Sequence, residues 1–197
     1  MRADDLTLDT LFDADPKGGV CRFAGERALL LDAAALGLLR KELIDTMSLA
    51  VAKGVLYRFG WAHGYRTADA MREAFPWESP KEWVNAGGRL HRLKGLVTFR
   101  PVPRAPEEAP RHFAQAYWEE SYEAEQHLLH FGLSAEPVCW TLTGFASGYL
   151  TACHGRPIRV VEEACVGKGD PHCLMAGEPE EAWDEATRRA SASLSER

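Results

Sequence analysis

The sequence predicts an α+β fold, with an N-terminal hairpin and helices followed by a mixed α/β module. Three observations point to it. Apolar residues recur at helical spacing over residues 33–75, alternation marks short strands at 19–32, 96–102 and 112–121, and glycine- and proline-rich joints separate the segments. The 197 residues suit one large domain or two small ones, and 46% hydrophobic with 26% charged residues excludes a wholly disordered chain.

In order, GVCRFAGERALLLD (19–32) alternates around Ala24-Gly25-Glu26 as a hairpin does. Leu36, Leu39, Leu43 and Met47, then Val51, Val55, Phe59 and Ala62, keep the i, i+3, i+4 spacing of helix until Pro76 and Pro80 end the run. A short helix over 80–93 tolerates its proline in the first turn. LVTFRPV (96–102) reads as a strand with an exit loop over 101–110, and HFAQAYWEES (112–121) as a strand placing Ala114, Ala116 and Trp118 on one face. Helices are expected over 119–131 and 137–153. RPIRVVEEAC and HCLMAG then form β segments joined by the tight loop VGKGDPH. The charged, alanine-rich stretch after Pro179 is expected to be a solvated helix or linker.

Several function classes fall away. No apolar run approaches the ~18–20 residues that cross a bilayer, and the acidic start lacks the apolar core of a signal peptide, so no membrane contact and a cytoplasmic location are expected. A net charge of −6 argues against direct contact with nucleic acid. Gly167-Lys168-Gly169 lacks the upstream glycine and the hydroxyl residue of a phosphate-binding loop.

Four of the five cysteines lie after residue 125, and Cys139, Glu162-x-x-Cys165 and Cys173 have spacing that suits a four-coordinate metal such as zinc. Three thiolates and a carboxylate around Zn²⁺ leave a net −2, for which Lys168 is a candidate counter-charge. In a regular strand Glu163 would share a face with Cys165, whereas a bulge or helical turn would favour Glu162. Cys153, His154 and His172 are possible substitutes, and buried thiols without metal are the plainer reading.

The run WEESYEAEQHLLHFGLSAEPVCWTLTGFASGYLTACHGRPIRVVEEACVGKGDPHC, with GRLHRLKGLVTF upstream, resembles the N-terminal aromatic-effector sensor domain of the XylR/DmpR/MopR-type sigma-54-dependent activators. Its second half resembles the 4-vinyl-reductase-type domain. The resemblance spans about Phe23 to Cys173. It implies a ligand-binding module with structural zinc on Cys139, Glu162, Cys165 and Cys173, and leaves Cys21 and Cys153 as ordinary thiols. It further implies that His91 and Trp118 hold the hydroxyl of phenol or a related small aromatic, with Tyr149 lining the cavity and Leu93 and Ala116 nearby. The small Ala116 is expected to leave room for substituted phenols.

The same likeness implies a homodimer formed with help from residues 1–32, a sensor domain over 33–178 whose zinc-binding part is about 137–178, and a helical linker over 179–197 toward an ATPase absent from this chain. A domain of this kind is a sensor, not an enzyme, and relieves repression of the ATPase when effector binds. The alternative is an enzyme or tetrapyrrole-binding protein of the 4-vinyl-reductase group. A zinc hydrolase fits less well, because four protein ligands leave no position for water.

Overall fold

The computed structural model describes residues 1–15, 17–105 and 107–195. A helical turn, α1 (Leu8–Leu11), leads into an antiparallel sheet of β1 (Phe12–Asp15), β2 (Val20–Phe23) and β3 (Glu26–Ala28). The expected hairpin is β2–β3, turning through Ala24 and Gly25, both at positive φ. Strand β1 is an addition. Its FDAD sequence carries little apolar signal because three of its four residues are exposed.

The helical stretch divides into α2 (Ala33–Thr46) and α3 (Leu49–Ala74). Ser48 interrupts it, because its side chain accepts from the Val51 N–H and starts a new helix, as Asp32 does for α2. Helix α4 (Pro80–Leu93) follows, capped by Ser79. The second sheet comprises β4 (Thr98–Pro101), β5 (Ala114–Glu119), β6 (Ile158–Ala164) and β7 (Cys173–Pro179), all antiparallel in the order β4-β5-β7-β6. Helices α5 (Tyr122–Phe131) and α6 (Trp140–His154) lie between β5 and β6 in sequence. Helix α5 starts later than expected, since Glu120 turns at φ 56° and Ser121 supplies the cap.

The apolar stripes that mark α2 and α3 are not their buried faces. Leu39, Met47, Val51 and Phe59 are exposed, whereas Ala52, Leu56, Gly60, Gly64, Ala68 and Met71 are buried. Helices α3 and α6 pack backbone to backbone. A Cβ on Gly64 would lie 2.0 Å from the Phe145 carbonyl oxygen, and one on Gly148 equally close to that of Trp61. Glycine makes this approach possible and leaves the bulky residues outside.

Two core clusters result. One joins the second sheet to α5 and α6 around Trp118, Leu142, Val160 and Met175. The other joins α3, α4 and α6 to the first residues of the chain, with Ala3, Leu6 and Leu11 buried in it. The last helix, α7 (Glu185–Ser195), lies on α3, where Arg58 donates to the Leu194 carbonyl at 2.9 Å. Residues 196–197 of the expected linker, and Pro106 of the expected exit loop, lie outside the described residues. Among the described residues no helix is long and apolar enough to cross a membrane.

Candidate binding cavity and metal centre

A cavity of about 870 Å³ lies between α4, α6 and the face of the second sheet that carries Trp118 and Met175. Its inner wall holds His91, Phe99, Trp118, Ala146, Tyr149 and Met175, and the segment from Pro101 to Phe113 forms much of the outer wall. Two glycines of α4 let the aromatic walls close in. A Cβ on Gly87 would come within 2.8 Å of the Tyr149 ring, and one on Gly88 within 2.8 Å of Phe99. The Tyr149 hydroxyl is fixed, donating to the Trp83 carbonyl at 2.7 Å.

His91 and Trp118 supply the polar atoms. The rings lie 6.0 Å apart at 29°, with Phe145 edge-on to His91 at 5.0 Å. His91 Nδ1 is 2.7 Å from the Gly87 carbonyl oxygen, which can only accept, so Nδ1 carries the proton. Burial pushes the imidazole pKa down to about 4, and the ring is therefore neutral at pH 7. Its Nε2 is left as a buried acceptor with no partner, and Trp118 Nε1–H as a buried donor with none. An unpaired acceptor and an unpaired donor on neighbouring rings are the complement of one hydroxyl group.

The metal-ligating group is built by a β-bulge. Strands β6 and β7 pair regularly to Glu162–Met175 and resume at Ala164–Leu174, so Glu163 is the extra residue. The bulge turns Glu162 inward, and it joins Cys139, Cys165 and Cys173 with ligand atoms all within 4.8 Å of one another. These four residues could hold a metal ion. The three sulfurs stand 3.9–4.0 Å apart. Backbone N–H groups of Val138 and Val166 point at Cys165 and Cys173 Sγ at 3.4 and 3.3 Å, and the Ser121 hydroxyl lies 3.1 Å from Cys139 Sγ. Glu162 Oε2 accepts from the Cys139 N–H at 3.1 Å, while Oε1 is buried and unpaired.

Crowding four acidic groups together has the expected effect on their protons. Burial pushes Glu162 up to about 8 and Cys139 well above the usual thiol range, whereas hydrogen bonds from Cys139 and Cys173 hold Cys165 down. A cation at the centre would remove this conflict. Lys168, the counter-charge expected from sequence, does not serve the sulfurs. It pairs instead with Asp170 at 3.0 Å, and that carboxylate accepts the Cys165 N–H at 2.8 Å.

A buried ion pair braces the centre from behind. Arg40 of α2 meets Glu123 of α5 at 2.9 Å, donates to the Val138 carbonyl at 2.8 Å and lies 3.9 Å over the Trp140 ring. Glu123 also accepts the first N–H groups of α6, from Thr141 and Leu142, at 3.0 and 2.8 Å. Burial raises the Glu123 carboxyl while Arg40 opposes it. The cavity and the metal centre share one sheet face, since Trp118 pairs with Cys173, and Ala116 with Met175, across β5–β7.

The expected residues therefore divide. His91, Trp118 and Tyr149 border the cavity, and Cys139, Glu162, Cys165 and Cys173 come together. Ala116 faces the same way as Trp118 but its methyl does not reach the cavity, which Met175 opposite it does. Leu93 is a correction: two residues on from His91 in a helix is roughly 200° of rotation, and it packs on the core cluster around Phe145 instead. Phe99, Met175 and the segment through His112 were not singled out from sequence. Their own residue types carry no signal, because a wall of apolar side chains looks like any core.

The comparisons agree with this geometry. A family model described as activator of aromatic catabolism matches residues 7–104, and a second model, for the 4-vinyl-reductase-type domain, matches residues 118–179. The crystal structure of the phenol-responsive sensory domain of the transcription activator PoxR, solved with phenol, superposes with a TM-score of 0.86 at 34% identity, covering 99% of this chain and 96% of that one. The chain belongs to the sensory-domain family of the XylR-type activators. Two curated relatives share that domain at 34% identity: the phenol regulator MopR of Acinetobacter guillouiae, over 92% of this chain, and the transcriptional regulatory protein XylR of Pseudomonas putida, over 82%. The chain spans about a third of the length of each, 32% and 29% respectively, so the family's sensory domain is the part they have in common.

Proposed function

We propose that this sensory domain binds phenol or a substituted phenol in the cavity, with the hydroxyl held between His91 Nε2 and Trp118 Nε1. The observation that carries the proposal is the pair of unpartnered buried atoms, one acceptor and one donor, on the wall of an otherwise apolar space. Leaving either without a partner costs about 1–3 kcal/mol, so the free site is primed for a hydroxyl and discriminates against a bare hydrocarbon. Tyr149 supplies apolar wall, since its own hydroxyl is committed to Trp83. A volume of about 870 Å³ exceeds what one ring fills and favours effectors with further ring substituents.

The metal is zinc in this reading, and its role is structural. Tetrahedral Zn–S bonds of about 2.3 Å place sulfurs about 3.8 Å apart, close to the 3.9–4.0 Å here. Unpaired Glu162 Oε1 provides the fourth ligand. Four protein ligands leave no open position, so zinc supplies no catalysis and the domain is not an enzyme. It pins β6 and β7 to the loop before α6, and thereby sets the face on which Trp118 stands.

Within a longer regulator the domain restrains an ATPase until effector binds, with residues 179–197 as the connecting linker and no nucleic-acid contact of its own. The partner of the exposed leucines is a second copy. Leu29, Leu30 and Leu31 are 63–78% exposed, and Leu38, Leu39, Val51 and Phe59 continue an uncovered apolar surface over α2 and α3. Calorimetry with phenol, 3,4-dimethylphenol and toluene, together with metal analysis and light scattering, tests the proposal. Zinc at one per chain, phenols binding more tightly than toluene, and a dimer are expected. Bound pigment, product formation or equal affinity for toluene would overturn it.

A further inference from the structure

His112 occupies a junction that effector binding alone leaves unexplained. It borders the cavity, and its Nδ1 and Nε2 lie 3.1 Å from Glu178 Oε1 and 3.1 Å from Glu163 Oε1 respectively. Its ring sits 5.8 Å from that of Trp183 at 30°. Glu163 is the bulge residue beside the metal-centre Glu162, and Glu178 lies in β7, the strand that begins with Cys173. Trp183, whose Nε1–H donates to the Arg159 carbonyl at 3.1 Å, stands two residues before α7. One imidazole thus touches the cavity wall, the strand pair that carries the metal centre, and the entry to the last helix.

We propose that His112 couples occupancy of the cavity to the start of α7. The coupling needs two arrangements of comparable energy, and the hydrogen-bond partners of the ring provide them. An imidazole with one N–H donates either to Glu178 or to Glu163. Each carboxylate keeps another partner when the ring turns away: Glu178 accepts the Phe113 N–H at 3.1 Å, and Glu163 has Gln115 Nε2 at 3.4 Å and Arg111 at 3.7 Å. Exchange between the two therefore leaves no buried charge bare. A bound ring that favours one arrangement changes how the imidazole lies against Trp183, and so the packing of the helix that follows.

The inference rests on the phenol-sensing reading. Coupling is reciprocal, so a change at Trp183 must alter phenol affinity, and must do so through His112. Phenol titrations of the zinc-loaded chain, Trp183→Leu, Glu178→Gln and the double variant form a cycle. Trp183→Leu is expected to shift the phenol Kd by at least about 5-fold in the parent and by less than about 2-fold in the Glu178→Gln background. Trp183→Phe, which keeps a ring against His112, is expected to stay near the parent value. Should Trp183→Leu fail to fold, amide exchange over residues 185–195 with and without phenol decides the matter. It changes on binding in the parent and is insensitive to phenol in Glu178→Gln.

Equal shifts in both backgrounds, no shift in the parent, or exchange that responds to phenol equally in both proteins would overturn the coupling while leaving phenol sensing intact. A parent that binds no phenol would overturn both.

Discussion

Replacing His91 with phenylalanine keeps a ring against Phe145 and Trp118 but removes the acceptor. In the parent, Nδ1–H is committed to the Gly87 carbonyl and Nε2 is buried without a partner. That carbonyl, four residues back in α4, retains its ordinary helical N–H partner, so the fold should barely register the change. A phenol buried opposite the new phenyl ring keeps the Trp118 donor but has nowhere to donate its own proton. The cost is about 1–3 kcal/mol, which is about a 5- to 150-fold weaker Kd. Toluene never used Nε2, and its affinity should change by less than about 2-fold, since aromatic area is preserved. Calorimetry with both ligands on zinc-loaded protein, with thermal melts to verify folding, makes the comparison. Phenol binding that survives unchanged, or phenol and toluene weakening together, would refute the hydroxyl-pairing argument.

Other outcomes follow from the same geometry. Cys165→Ser should lower zinc content and thermal stability together, because structural metal binding is folding free energy; unchanged zinc by mass spectrometry would remove Cys165 from the ligand set. Arg40→Met should cost about 3–5 kcal/mol by leaving Glu123 buried and unpaired, a fall in Tm of about 6–20 °C for a domain of this size, and a second change, Glu123→Leu, should recover part of it in a melt. Phenol affinity should be flat from pH 8 to 5, because burial holds the folded His91 pKa near 4 and its acceptor stays available; a titration falling between pH 7 and 6 would contradict this.

Stability has the opposite sensitivity. The unfolded chain protonates His91 below about 6.5 while the folded chain resists until about 4. Denaturation midpoints should therefore fall as pH drops through that window, by about 1.4 kcal/mol per pH unit from this group.

The sequence made the metal centre and the strand order legible, since cysteine spacing and period-two alternation survive without tertiary information. It could not choose between Glu162 and Glu163 on periodicity alone. That choice depended on a bulge, which is a property of the β6–β7 register. The helices of the first half were legible as helices but not as to face. The buried side of α3 is largely glycine and alanine, which hydrophobic spacing does not mark, and its bulkier residues point outward. His91 and Trp118 could be paired from family likeness only. What makes them a site, two orphaned atoms of opposite hydrogen-bonding character, exists only once α4 is laid across β5. The Arg40–Glu123 brace joins positions 83 residues apart and leaves no local trace.

The most direct test is a crystal structure of this chain with phenol. The phenol oxygen is expected within about 2.7–3.2 Å of both His91 Nε2 and Trp118 Nε1, with the ring against Phe99 and Tyr149. Phenol bound elsewhere, or bound in the cavity with its hydroxyl turned away from both atoms, would contradict the account.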